Sequence, residues 1–293
     1  MRPEPFFDLA DRLSSGLTGE ERLFCSVSAE ASDFVRLNQN RIRQAGSVQS
    51  AALGLTLIQG ARQTEGSLDL TGDPDQDLAR ARHLLVRLRE RLPHLPEDPY
   101  LHVSEAPWSS DTRVGETPPD AREAIGALID KAEGLDLVGI WASGAIAEGL
   151  ASSIGHRHWH HSQSFNLDWS AHLSGDRAVK AGYAGLAWDP AVLPAKVEAM
   201  RQGLGVLARP ARTLDPGRYR AFLAPAAVTD LMDMLAWGGF DLKGHRTRQT
   251  PLLKLVRGER LLDPRVSIRE EHGRGLRPRF TPEGFEKPET VTL

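Results

Sequence analysis

The sequence is organised around residues 217–239, where GRYRAFLAP (217–225) runs into AAVTDLMDMLAWGG (226–239). Pro225 separates two patterns: the residues before it predict a strand, and apolar residues after it recur at helical spacing. These apolar residues follow an i, i+3, i+4, i+7, i+8 pattern, at Val228, Leu231, Met232, Leu235 and Ala236. We expect a helix that buries this face and ends at the pair of glycines that follows Trp237.

The opposite face of the predicted helix carries Asp230, Asp233, Met234 and Trp237. A basic run, KGHRTR (243–248), comes soon after it. Functional residues are concentrated on loops and exposed faces that a rigid scaffold positions. We therefore expect this face and the basic run to form the rim of a cleft.

Composition excludes several classes of protein. The 293 residues carry a formal net charge of -3, which gives no electrostatic reason to expect nucleic acid or an anionic membrane as a partner. Cys25 is the single cysteine, so no internal disulfide forms and a reducing compartment is indicated. The N-terminus lacks an apolar signal region, and no apolar run reaches the ~20 residues of a membrane helix. We predict a cytoplasmic protein.

The first part of the chain predicts a sheet flanked by helices. Residues 6–15 predict a short helix, and period-2 alternation around 23–27 and 53–57 predicts strands. Residues 33–43 predict two further strands joined by an Asn-Gln-Asn turn, so 21–71 is expected to be an antiparallel sheet. Thr71-Gly72-Asp73-Pro74 predicts a turn into a helix, whose apolar stripe is Leu78, Ala81, Leu84, Leu85 and Leu88.

The middle of the chain predicts a loop, two helices and a strand meander. Residues 93–119 are rich in Pro, Asp and Ser, which is typical of a connection. A helix is expected to about residue 132, with Ile125, Leu128 and Ile129 inward, and another over 193–207. Between them, the Gly- and Ser-punctuated stretch 135–188 predicts strands. Beyond Gly239, residues 251–256 and 265–269 also predict strands.

The predicted fold class is α+β. Antiparallel sheets with packed helices occupy an N-terminal region, 1–213, with subregions at about 21–92 and 118–213. The Pro-rich stretch 208–217 marks the boundary. Residues 214–293 are expected to begin a strand-rich C-terminal domain, and we expect that domain to be truncated because the chain ends within a strand-like run.

A histidine-rich segment, HRHWHH (156–161), is a candidate metal site. On a strand, His156, His158 and His160 point to one face at intervals of about 7 Å. Imidazoles so placed can share a zinc ion, with His172 or Asp168 available as a further ligand. Nothing in the spacing demands that ligand, and a polar loop or edge strand that is rich in His is the simpler explanation of the segment.

Other candidates for chemistry are weaker. ASSIG (151–155) departs from the G-x-S-x-G nucleophile motif at its first residue, and the following residues are strand-like rather than helical. Cys25 occupies an inward strand position and is expected to be a small buried hydrophobe. A strand-rich scaffold also offers open sheet edges, to which an extended peptide can add by backbone hydrogen bonds.

Several segments, in order along most of the chain, resemble the TldD/PmbA family, also known as modulators of DNA gyrase. They are GLASSIGHRHW (149–159), SFNLDWS (164–170), DRAVKAGYAG (176–185), YRAFLAP (219–225), WGGF (237–240) and HRTRQTPLL (245–253). The resemblance implies an α+β N-terminal region, a strand-rich C-terminal domain and a site at a subunit interface. It also implies an assembly in which a metal-bearing subunit pairs with a metal-free one and cleaves unfolded peptides.

The resemblance further implies that this chain is of the metal-free, PmbA-like type. In the metal-bearing type, the helix after the strand-Pro turn carries H-E-x-x-x-H, whose two His bind zinc and whose Glu activates water. Counting from Pro225, these positions fall on Asp233, Met234 and Gly238. The family's Cys ligand lies further toward the C-terminus, in a portion expected to be missing. Asp233, Met234, Trp237 and Gly238 would then line a vestigial site.

The resulting expectation is a chain that is not catalytic by itself. It would bind unfolded peptide and pair with a metal-bearing TldD-like subunit, or form a homodimer, with zinc in the partner and no cofactor of its own. His245, Arg246 and Arg248 would contact substrate or partner. Two alternatives stay open: an independent zinc hydrolase that uses His156, His158 and His160, and a non-catalytic peptide- or protein-binding regulatory module.

Overall fold

The computed structural model describes residues 1–293, which divide into two compact units. The first unit comprises Met1–Ala211 and Arg274–Lys287, and the second comprises Arg212–Gly273 and Pro288–Leu293. The helices of the first unit are α1 (Pro3–Ser14), α2 (Pro74–Arg91), α3 (Ala121–Lys131) and α4 (Val192–Leu207). Its strands are β1 (Arg22–Asn38), β2 (Arg41–Gln59), β3 (Arg62–Asp69), β4 (Ser109–Val114), β5 (Asp136–Ser152), β6 (Arg157–Ser174) and β7 (Arg177–Gly185).

All seven strands of the first unit form one sheet in the order β3-β2-β1-β5-β6-β4, with β7 also paired to β6. Every pairing is antiparallel except that of β4 with β6. The edge of β6 that faces away from β5 is shared, because β4 pairs with its first residues and β7 with the remainder. The predicted α+β class with a large antiparallel sheet is confirmed.

Helices pack on one face of this sheet, over two cores. β1 contributes residues to both cores. Leu23, Cys25 and Val27 belong to the core under α1 and α2. Further along the same strand, Val35 and Leu37 belong to the core under α3 and α4. Cys25 is fully buried as predicted, and burial raises the pKa of its thiol to about 12. A third, smaller core lies on the opposite face, around Phe24, Leu150 and Phe280.

Most of the predicted elements of the first unit are confirmed. The β1–β2 hairpin turns at Gln39 and Asn40, which both have positive φ (50° and 54°), as a two-residue hairpin turn requires. The helix predicted after Thr71 is α2, where Asp73 accepts hydrogen bonds from the amides of Asp75 and Gln76. The loop predicted over 93–119 is wrong in part, because it contains β4.

The second unit contains α5 (Pro225–Ala236), α6 (Leu242–Arg246), α7 (Leu253–Val256) and a ribbon of β8 (Arg269–Glu271) with β9 (Thr290–Thr292). Three sequence predictions are wrong here. Residues 217–224 have no regular structure, the strand expected over 251–256 is replaced by α7, and that expected over 265–269 reduces to the first residue of β8. A strand needs a neighbour to complete its backbone hydrogen bonds, and these segments have none.

Across the chain, no helix has both the length and the apolar composition needed to cross a membrane.

Candidate functional site

The helix expected to carry a vestigial site forms as predicted but is not buried. Pro225 occupies its first turn, where its fixed φ favours a helix and its missing N–H costs nothing. No residue of α5 is buried, and Val228 and Leu231 of the expected inward stripe are each 42% exposed. The prediction that this stripe is buried is therefore wrong for this chain. Both faces of α5 are open.

The proposed outer face carries an exposed carboxylate, thioether and indole. Asp233 and Met234 are exposed, and Trp237 at the end of the helix is 90% exposed. The amide of Trp237 donates to the carbonyl of Asp233, which closes the last turn. Gly238 then adopts a φ of +80°, a conformation that favours glycine. The position where the metal-bearing type has its last zinc-binding His is thus occupied by a glycine that ends the helix.

The turn after α5 is organised by the backbone carbonyl of Gly239. His245 Nε2 donates to this oxygen at 2.6 Å, and Thr250 Oγ1 donates to it at 2.9 Å. A Cβ on Gly239 would lie 2.0 Å from the carbonyl oxygen of Leu235, so the turn has room only for glycine. His245 therefore holds the turn together, and its Nε2 is committed to that contact.

Arg246 and Arg248 are exposed. Neither forms an ion pair with an acidic side chain of this chain. Arg248 has a φ of +60°, which is uncommon for a residue with a side chain. Of the three basic residues predicted to contact substrate or partner, these two have free guanidinium groups.

The residues at the positions of the zinc motif do not fit a catalytic zinc ion. Such a site uses three protein ligands from His, Asp, Glu or Cys, together with a general base near the bound water. Asp233 offers one exposed carboxylate, while Met234 and Gly238 offer neither a ligand of that kind nor a base. More generally, no group of three or more His, Cys, Asp or Glu side chains in the chain is arranged to hold a metal ion.

The histidine-rich segment forms a buried packing centre instead. His156 lies in the turn before β6, and His158 and His160 lie on β6; all three are buried. As predicted from alternation, they share one face of the sheet, and the rings of His156 and His158 stack at 5.8 Å. The alternate residue, Trp159, points to the opposite face and packs in the core under α1 and α2.

Each of these imidazoles is committed to a protein oxygen. His156 Nε2 donates to the carbonyl of Ser104 at 3.0 Å, and His160 Nε2 donates to the carbonyl of Gly275 at 2.7 Å. His158 Nδ1 lies 3.0 Å from Ser110 Oγ. No sequence pattern predicts these partners, because they are backbone and hydroxyl oxygens far away in the chain.

Residues Arg274–Lys287, which we call the strap, cover this centre. Phe280 of the strap stacks on His158, with ring centroids 5.0 Å apart, and Trp108 packs against the same imidazole with ring centroids 4.0 Å apart. Trp108 Nε1 also donates to the carbonyl of Gly284 at 2.7 Å. Burial, and secondarily the neighbouring His156, lowers the pKa of His158 from 6.5 to about 4. A neutral imidazole is therefore the stable form under the strap.

The serine motif does not form a nucleophile elbow. Ser152 ends β5 and is buried, and its Oγ accepts hydrogen bonds from the amides of Ile154 and His156, both at 3.3 Å. This is a local turn contact. Ser153 Oγ accepts from the amide of Leu23. Both hydroxyls serve the fold.

Comparison with known proteins shows what the chain resembles. No protein-family model matches the sequence, and no curated protein matches it. Among solved structures, a candidate modulator of a DNA gyrase from Thermotoga maritima superposes with a TM-score of 0.70 at 14% identity, over 98% of this chain and 68% of the other. TldE from Thermococcus kodakarensis superposes with a TM-score of 0.64 at 12% identity, over 99% of this chain and 67% of the other.

A candidate modulator of DNA gyrase from Bacteroides thetaiotaomicron gives a TM-score of 0.64 at 14% identity, over 99% of this chain and 68% of that one. These identities are too low to transfer an activity, but the superpositions span nearly every residue described here. The chain therefore has the fold of TldE and of the candidate DNA gyrase modulators, which is the fold that the TldD/PmbA resemblance predicted.

Proposed function

We propose that the chain is a metal-free subunit of a TldD/PmbA-type protease assembly, which holds unfolded polypeptide and leaves hydrolysis to a metal-bearing partner. The observation that carries this proposal is the composition of the exposed face of α5. Where the metal-bearing type has two His and a Glu, this chain has Asp233, Met234 and Gly238. The shared fold, over 98% of the chain, supports placing α5 at that position.

The exposure of α5 supports a role in binding a partner. Large apolar side chains left exposed together usually mark an interaction surface. In the second unit these include Phe222, Met234, Trp237 and Leu261. Trp is also the residue type most enriched among interface side chains that contribute strongly to binding. Arg246 and Arg248 add two free cations to the same unit.

The test is to mix the chain with a relative that carries H-E-x-x-x-H and with an unfolded peptide. We expect a complex on size-exclusion chromatography and faster peptide cleavage than with the relative alone. Trp237→Ala should weaken the complex by about tenfold or more, as truncation of a central interface Trp does. Tyr100→Ala is the matched control, because Tyr100 is 89% exposed and lies in the other unit. If no complex forms and cleavage is unchanged, the proposal fails.

A further inference from the structure

Part of β2 is left open on one side, because β3 is shorter than β2. β2 pairs with β1 from Arg41 to Ile58, with one register shift at Arg43. On its other side β3 reaches only from Gln59 back to Ala52. Residues 41–50 of β2 therefore lack a neighbour on that side, and all of them are exposed or half-buried.

The backbone groups on this edge are directed outward. The β2–β3 ladder ends where the amide of Leu70 donates to the carbonyl of Ala51 at 2.8 Å. Alternate residues of a strand direct their N–H and C=O groups to the same side. Gln49, Ser47 and Ala45 therefore present their donors and acceptors to the free edge, in continuation of the line of β3.

From residue 44 onward, this edge carries none of the usual protection against pairing. Open edges in natural proteins are commonly blocked by charged side chains, proline or a bulge. The segment 44–50 reads QAGSVQS and contains neither proline nor a charged residue. The one irregularity in its pairing with β1 lies beyond it, between Arg36 and Leu37. Seven residues in regular register offer an edge of roughly 24 Å.

A cavity of about 750 Å³ adjoins the closed end of the edge. It is lined by Ser50 and Ala51 of β2, by the start of α1 and by the turn that follows β3. Leu9 and Ala29 are buried residues of its wall, and Leu70 packs against the same core. Asp8 and Arg12 also line the cavity and form an ion pair with each other at 3.7 Å, which balances their charges. Arg2, Glu30 and Asp77 are further charged residues of its lining, so the cavity combines polar groups with an apolar wall that can pack against one apolar side chain.

We propose that residues 44–50 of β2 bind an extended, uncharged stretch of polypeptide as an added β-strand, with one apolar side chain in the adjoining cavity. Backbone pairing recognises the chain largely independently of its sequence, which suits an unfolded polypeptide. The choice of unfolded polypeptide as the ligand rests on the proposed function. It adds the place where the ligand is held, in the unit that does not contain α5.

An extended peptide fits this edge better than a second copy of the chain does. In a two-fold pairing of 44–50 with itself, residues 41–43 of one copy would continue along the edge of the other copy. That position is already filled by Asp69 and Leu70, which pair with Ala52 and Ala51. A free peptide has no such overhang, so it can use the whole open length.

The test measures binding of a fluorescein-labelled peptide of about ten residues, built from Ala, Ser, Val and one Leu, to the full chain alone. Ser47→Pro removes an outward N–H and leaves the pairing with β1 intact, because that N–H does not take part in it. Ser47→Thr is the matched control, because it keeps both the N–H and the hydroxyl that donates to Asp33. We expect Ser47→Pro to weaken binding by about tenfold and Ser47→Thr to leave it unchanged.

Val48→Lys provides a second blocking variant in case proline perturbs the fold, since a lysine on an edge strand opposes pairing. Thermal unfolding of each variant checks that it is folded. Equal binding by wild type and both blocking variants would overturn the proposal, as would dimerisation of the wild type through this edge without peptide binding. Because no partner is present, a negative result here leaves the protease-partner assay to be judged separately.

Discussion

At the residue scale, the histidines show how the same pattern can mean chemistry or packing. Alternation placed His156, His158 and His160 correctly on one face of the sheet. It gave no information on what covers that face, because the covering strap lies more than a hundred residues further along the chain. With ring nitrogens bonded to Ser104 and Gly275, the imidazoles anchor distant backbone segments.

The buried His158 makes stability depend on pH. The folded protein keeps this ring neutral, with a pKa of about 4, whereas the unfolded chain protonates it near 6.5. As pH falls from 6.5 through 4, the unfolded state gains a proton that the folded state does not, so the free energy of unfolding decreases. Above pH 6.5 the ring is neutral in both states, so protonation of His158 in the unfolded chain no longer lowers the free energy of unfolding. We expect urea titrations at several pH values to show this decline.

His158→Gln tests the assignment, because glutamine cannot titrate. The decline in the free energy of unfolding between pH 6.5 and 4 should become smaller in this variant. His83→Gln is the matched control, since His83 is exposed on α2, and it should keep the wild-type slope. An unchanged slope in His158→Gln would show that other groups cause the pH dependence.

At the element scale, sequence periodicity predicted the helices, strands and turns whose formation depends on local sequence. The stripe of α2 and the hairpin turn at Gln39 and Asn40 are local features, and both are confirmed. β4 was missed because its burial alternates only between exposed and half-buried, and it forms by parallel pairing with β6. The strand predicted at 217–224 does not form, because no neighbouring strand pairs with this segment.

The strap is held by a close fit that Gly284 makes possible. A Cβ at this position would lie 2.8 Å from His156 Nε2, and the residue has a φ of +84°. Gly134 has nearly the same φ, +81°, with nothing within 4 Å, so it is a matched control. Gly134→Ala should cost about 1 kcal/mol for the backbone alone. Gly284→Ala should cost this plus about 1–3 kcal/mol for overpacking against the imidazole.

Urea denaturation of both variants measures this difference. Equal losses of stability in Gly284→Ala and Gly134→Ala would mean that the strap moves to accommodate the added methyl group without loss of stability. The close contact between Gly284 and His156 would then not hold the strap in place. A larger loss in Gly284→Ala that is accompanied by a changed pH dependence would link the strap directly to the buried histidines beneath it.

At the scale of the whole molecule, the two units differ in how they bury apolar surface. The first has cores on both faces of its sheet. Between 212 and 273, by contrast, no apolar side chain is buried. The helical spacing correctly predicted that α5 is a helix, but no other part of this chain buries its apolar face. Sequence periodicity identifies a face that is suited to burial and is silent on which molecule covers it.

Hydrogen exchange on the full chain tests this contrast. Local opening costs little where few apolar contacts hold a segment, so the amides of α5 should exchange far faster than those of α2, whose stripe is buried. If a metal-bearing relative is the partner, adding it should slow exchange in α5 and leave α2 unchanged. Equal protection of both helices in the chain alone would contradict the account of packing. Rapid exchange in α5 that the relative does not slow would count against the proposed partner, while the packing account would stand.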